Sequence, residues 1–213
     1  MDQFFNIIGY IAIGMTIIST ILYSIRFASN NRAYRIFTFY LIAISSIQLI
    51  ALYIGKGYLH KNNLFMSHFY FGLQFILLSL FYAELIGHRL IKILIIPILL
   101  FLAYQFINDP GLFFIYNPLG ITITQILLVV YTMIYFYRSL NKKTDFILVN
   151  IGVFLYLISS TLIFASGNLV LDLDLAPETK SLFIDINRIL ILLFQILIIA
   201  EWYRHYRVKP ANT

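Results

Sequence analysis

Long apolar runs, each interrupted by a few polar or turn-forming residues, set the pattern of this chain. Spanning a hydrocarbon core of roughly 30 Å takes about 20 mostly apolar residues in a helix. Seven stretches meet that demand, at 4–25, 34–54, 64–86, 90–107, 115–137, 146–167 and 182–203. The pattern predicts an all-α membrane protein with seven transmembrane helices in one domain over residues 1–213. Connections are short. The longest runs from 168 to 181, where Pro177 is expected to break any helix. Pro97, inside the fourth run, is expected to kink it.

Composition agrees with this reading. Hydrophobic residues make up 61% of the chain and charged ones 11%, against roughly 25% charged in a soluble domain, and the mean hydropathy is +0.88. The opening Met1-Asp2-Gln3 lacks the basic segment of a secretory signal, so the first run is expected to persist as a helix. There is no cysteine, which excludes disulfides, thiolate metal sites and cysteine nucleophiles.

Charge then orients the helices. One set of alternating loops holds eleven cations: Arg26, Arg32, Arg35, Arg89, Lys92, Arg138, Lys142, Lys143, Arg204, Arg207 and Lys209. The other holds Lys56, Lys61 and Lys180, diluted by Asp2, Asp109, Asp172, Asp174 and Glu178. An eleven-to-three split predicts a cytoplasmic C-terminus and an external N-terminus. The net charge of +6 is accounted for by topology and lipid headgroups, with no call for nucleic acid.

Landmarks recur along the chain. Asn6-Ile-Ile-Gly9 opens helix 1 and Asn117-Pro-Leu-Gly120 opens helix 5; Ile44-Ser-Ser46 and Ile158-Ser-Ser160 lie in helices 2 and 6; Ala83-Glu84 and Ala200-Glu201 close helices 3 and 7. The offsets are 111, 114 and 117. They predict two parallel three-helix units, 1–86 and 114–207, joined by a linker helix within 87–113, a 3+1+3 plan. Chance matching among Ile-rich helices is the competing explanation. Parallel repeats occur in transporters of the SWEET family, whose helix plan this resembles; the same arrangement also resembles that of seven-helix receptors.

Polar residues inside a membrane are the default candidates for function. Asp185 and Arg188 share a face of helix 7 at a spacing of i to i+3, where they either pair at headgroup level or bind a zwitterionic or anionic solute. Gln48, His68 and Asn117 fall toward the same external side, so Gln48, His68, Asn117, Asp185 and Arg188 are the candidate lining of an externally open pocket. Gln74, Gln125 and Asn150 can hydrogen-bond across helix interfaces. At the cytoplasmic side Glu84 and Glu201 occupy matching positions beside Arg89 and Arg204, where they form ion pairs or contact a partner protein. Gly9, Gly14, Gly72 and Gly152 permit close helix approach.

Several chemistries are excluded. Helix 7 holds no lysine for a retinal Schiff base, no two histidines share a metal-binding spacing with an acid, and neither a hydrolase serine elbow nor a phosphate-binding glycine loop occurs. The expectation is a non-catalytic protein without cofactor or metal.

Phe146, Asn150, Gly152 and Tyr156 in helix 6 resemble the Phe-Trp-Ile-Asn-x-Gly-x-x-x-Tyr stretch of an uncharacterised seven-helix integral membrane protein family of Bacteroidota. Ile147 stands where that family has Trp, and Ile158-Ser159 where it has Ser-Gly. In helix 3 the run from Gln74 through Ser79 to Tyr82 is similar as well, with Gln74 where an acid is often found. Members often accompany histidine kinases or other signalling proteins. The resemblance thus implies a sensor or receptor-like signalling subunit of the bacterial inner (cytoplasmic) membrane, with a small-solute transporter or a structural subunit of a larger membrane complex as alternatives.

Overall fold

The computed structural model describes residues 2–56, 63–115, 117–140, 144–165 and 177–207. Among these are seven α-helices: α1 (Asp2–Ile25), α2 (Arg32–Lys56), α3 (Met66–Ile86), α4 (Arg89–Asn108), α5 (Pro118–Ser139), α6 (Ile147–Ala165) and α7 (Pro177–His205). A short 3₁₀ turn, Pro110–Phe114, lies between α4 and α5. Six of the seven are long and apolar enough to cross a bilayer; the apolar run of α6, Ile147–Ile163, is shorter. The protein is a multi-pass membrane helical protein.

Boundaries fall within a few residues of those read from hydropathy, with one instructive exception. Pro177, expected to lie in a loop, opens α7. A proline in the first helical turn lacks an N–H that would have no intrahelical partner anyway, so it starts a helix as readily as it stops one. The loop positions up to 176, including Asp172 and Asp174, and Lys61, Lys142, Lys143 and Lys209 lie outside the described residues.

Six helices close into a ring in the order α1, α2, α3, α5, α6, α7, with α7 packed against α1. Helix α4 sits outside it against α3. On α4 only Ile91 and Ile95 are buried, while Leu90, Ile93, Ile96, Leu100 and Ile107 are exposed. Water would not tolerate so broad an apolar face, whereas lipid tails solvate it.

The two ends of the ring are built differently. At one, the basic end, the C-termini of α1, α3, α5 and α7 meet the N-termini of α2, α4 and α6. Glu84 of α3 binds Lys92 of α4 at 2.6 Å and lies 3.7 Å from Arg32 of α2. Arg138 of α5 donates to the carbonyl of Ile86. The interior here is a close-packed aromatic plug in which Tyr23, Tyr34, Phe37, Phe81 and Phe146 are fully buried. Tyr34 and Tyr206 ring centroids lie 4.6 Å apart, and Phe81 and Phe146 5.1 Å apart.

Several polar side chains inside the ring are paired helix to helix. The Gln125 amide donates to Gln74 Oε1 at 2.9 Å, Ser19 donates to Gln195 at 2.8 Å, and the Tyr82 hydroxyl donates to Asn150 Oδ1 at 2.7 Å. Gly152 lets α6 and α7 touch, since a Cβ there would stand 2.6 Å from Phe194 Cδ2. Gly14 and Gly72, expected to serve the same purpose, have no neighbour within 4 Å of a Cβ. Phe194 in turn stacks on Tyr156, with centroids 5.6 Å apart and rings 12° from parallel.

Candidate functional site

Opposite the basic end, the ring is not filled. A cavity of about 230 Å³ is lined by residues of α2, α3, α6 and α7, among them Gln48, Asn63, Ser67, Tyr70, Tyr156 and Asn187. A second, of about 250 Å³, lies between α1, α2 and α7 and is lined by Asn6, Gly9, Tyr10, Gln48 and Arg188. The two share Gln48, Ala51 and Ile191 as a common wall. The polar lining is set by single residues in apolar helices: Gln48 interrupts the apolar run of α2, and Asp185-Ile-Asn-Arg188 precedes a mainly aliphatic stretch of α7.

Arg188 and Asp185 pair as their spacing predicts, through one contact of 2.9 Å from Nη1 to Oδ1. Asp185 is 8% exposed, so the pairing relieves a carboxylate that would otherwise be costly to desolvate. The Arg188 side chain runs along Gly9, where an added Cβ would stand 3.3 Å from Nε. Glycine on α1 thus makes room for the guanidinium. Asn187, one residue away, lines the first cavity with its Oδ1 buried and without a hydrogen-bond partner. The hydroxyls of Tyr70 and Tyr156 share a hydrogen bond of 2.9 Å on the wall of that same cavity.

Of the five expected ligand residues, the fold brings Gln48, Asp185 and Arg188 together and sets His68 and Asn117 apart. The latter two line a separate crevice of about 30 Å³ among α3, α4 and α5, which is room for about one water. Both side chains have structural partners there. Asn117 Oδ1 accepts from the Gly120 N–H at 2.9 Å, capping α5, and its amide donates to Gln105 Oε1 at 3.1 Å. His68 Nε2 lies 3.2 Å from the Phe113 carbonyl and its ring packs against Phe106. They fall elsewhere because their faces of α3 and α5 turn toward Leu102 and Phe106 of α4, whereas the open cavities lie among α1, α2, α3, α6 and α7.

At the basic end the expected pairs are rearranged. Glu84 takes Lys92 and Arg32, and Arg89 is exposed with no ion pair among the described residues. Glu201, expected beside Arg204 and open to a partner, is fully buried. Its two oxygens accept the backbone N–H groups of Phe146 at 2.8 Å and Leu148 at 2.7 Å. It therefore caps α6 from another helix, placing a carboxylate where the helix dipole is positive. Phe146 holds a left-handed backbone, with φ of 64°, at this junction. His205 stands 3.6 Å from Glu201 and 3.8 Å from Asp145, and Arg204 remains exposed. Burial, together with the negative charges of Asp145 and Glu201, holds the nearby Tyr206 hydroxyl protonated well above the usual phenol range.

Asn187, Asn6, Tyr70 and Tyr156 line the cavities although none was among the expected ligand residues. Asn187 carried a signal, being an amide between Asp185 and Arg188. Asn6 and Tyr156 stood out only as a repeat landmark and in the resemblance of helix 6, and Tyr70 not at all in a chain with 16 tyrosines. No known protein family matches the chain, and no curated protein or solved structure is similar to it.

Proposed function

We propose that the protein is a non-catalytic membrane sensor or receptor-like signalling subunit. In this reading a small solute enters the polar cavities from outside, and the basic end, in the cytoplasm, passes the response to a partner such as a histidine kinase or another membrane subunit. The observation that carries the reading is the asymmetry of the ring, which is hollow at one end, with a few polar side chains in a largely apolar lining, and plugged by aromatic side chains at the other. Helix α7 links the two, with Asn187 and Arg188 at the cavities and Glu201 holding α6 at the plug. A displacement of α7 by a solute would therefore be felt at the basic end.

Trp202 offers a direct test. It is the single tryptophan and packs against the core at the plug. A solute that binds the reconstituted protein should change Trp202 emission saturably, with the midpoint following binding. Binding with no change at Trp202 would overturn the coupling.

A small-solute transporter of SWEET-like architecture is the second reading, and a specific feature favours it. Exchanging α1, α2 and α3 with α5, α6 and α7 maps the ring onto itself, with α4 outside as a linker. Glu84 near the start of α2 then corresponds to Glu201 at the start of α6. Counterflow of a bound solute in proteoliposomes would establish transport.

A further inference from the structure

Resting on the reading of the far cavities as a solute site, we propose that their ligand is a small zwitterion of α-amino-acid type. Its carboxylate sits on Arg188 and its N–H-bearing ammonium turns toward the side-chain amides of Gln48 and Asn6, which line the same cavity.

The donor side comes first. A guanidinium has five N–H donors in a fixed fork, and arginine commonly engages a carboxylate through two of them. Arg188 gives Asp185 a single contact, from Nη1 at 2.9 Å, and has no other hydrogen-bond partner among the described residues. Arg188 also lines the second cavity, its side chain running beside Gly9. Its unused donors can take a second carboxylate there.

Charge balance then selects among carboxylates. Asp185 already neutralises Arg188, and neither cavity is lined by any other charged side chain among the described residues. A bare anion would leave the site with a net negative charge beside the buried carboxylate of Asp185, which is costly. A zwitterion adds no net charge. Its positive end needs acceptors, and the second cavity supplies them in the side-chain amides of Asn6 and Gln48. Because an amide oxygen rewards an N–H, a primary or secondary ammonium fits better than a quaternary one. The remaining wall is largely apolar, formed by Ala12, Ile13, Ala51, Leu52 and Ile191, and suits an aliphatic side chain. Cavities of about 230 and 250 Å³ limit the ligand to a small molecule.

The test uses the full chain in lipid nanodiscs, with binding of L-leucine, L-alanine and L-glutamine measured by equilibrium dialysis. Two probes dissect L-leucine: 4-methylpentanoate lacks its ammonium and 3-methylbutylamine lacks its carboxylate. The proposal expects at least one amino acid to bind and both dissected analogues of leucine to bind at least tenfold more weakly than leucine. Arg188→Gln should abolish binding. Gly9→Val, which leaves Arg188 and Asp185 in place but crowds the guanidinium, should weaken it at least tenfold and guards against misfolding of the first variant. Equal binding of 4-methylpentanoate, or no binding of any of the three amino acids, overturns the zwitterion assignment. Because the chain has no cysteine, Ala51→Cys reports cavity access separately through a water-soluble methanethiosulfonate. Labelling without amino-acid binding overturns the ligand class and leaves the solute cavity standing; absence of labelling overturns both.

Discussion

Replacing Glu201 tests how the basic end is held together. In the native chain its carboxylate is fully buried and accepts the N–H groups of Phe146 and Leu148 at 2.8 and 2.7 Å. Hydrogen bonds to a charged group contribute about 1.5–3 kcal/mol each. Against this stands the desolvation cost of the carboxylate, which its removal would recover. Glu201→Ala strands a buried N–H at Phe146, so the net loss should be about 3 kcal/mol. Glu201→Gln keeps one acceptor oxygen but turns an amide NH₂ toward the other backbone donor, and should lose roughly half as much, about 1.5 kcal/mol. For a chain of this size each kcal/mol moves the midpoint by about 2–4 °C, giving a fall of roughly 6–12 °C for the alanine variant. Thermal unfolding in mild detergent, followed by size-exclusion fluorescence, would measure it. The control is Glu84→Ala, whose carboxylate is 21% exposed and held by an ion pair; it should lose no more than about 1 kcal/mol. Hydrogen exchange at the Phe146 and Leu148 amides should quicken in Glu201→Ala alone. Equal shifts in the Glu84 and Glu201 variants, with unchanged exchange at those amides, would refute the capping argument.

Two further outcomes follow from contacts inside the ring. Gln74→Leu leaves the buried Gln125 amide without its partner and should cost about 1–3 kcal/mol. The Gln74→Leu/Gln125→Leu pair removes both polar groups and should be more stable than either single variant, a non-additivity that a double-mutant cycle in detergent would read. Gly152→Ala places a Cβ 2.6 Å from Phe194 Cδ2 and should destabilise by about 1–3 kcal/mol, with partial rescue by Phe194→Leu in the same thermal assay.

Hydropathy alone carried the helical, multi-pass character of the chain and the bounds of its helices to within a few residues. It could do so because a bilayer demands a fixed length of apolar helix, a one-dimensional requirement that a sequence states openly. The Asp185–Arg188 pair was legible for the same reason, since helical spacing places residues three apart on one face. Pro177 was misread because proline is compatible with both a break and a first turn, and only the surrounding helix distinguishes them. Everything that depended on how the helices pack was decided by the tertiary structure. Lying toward the same end of their helices does not make residues neighbours: His68, near the start of α3, and Asn117, at the start of α5, line a crevice on the α4 side of the ring, away from Arg188. Glu201 reads as one more acid among interfacial arginines, but the α6–α7 contact buries it beneath the backbone of Phe146. Spacing along one helix is local and visible in the chain; the pairing of a side chain with another helix is set by rotation and register across the ring, which the chain encodes only through the packing of all seven helices together.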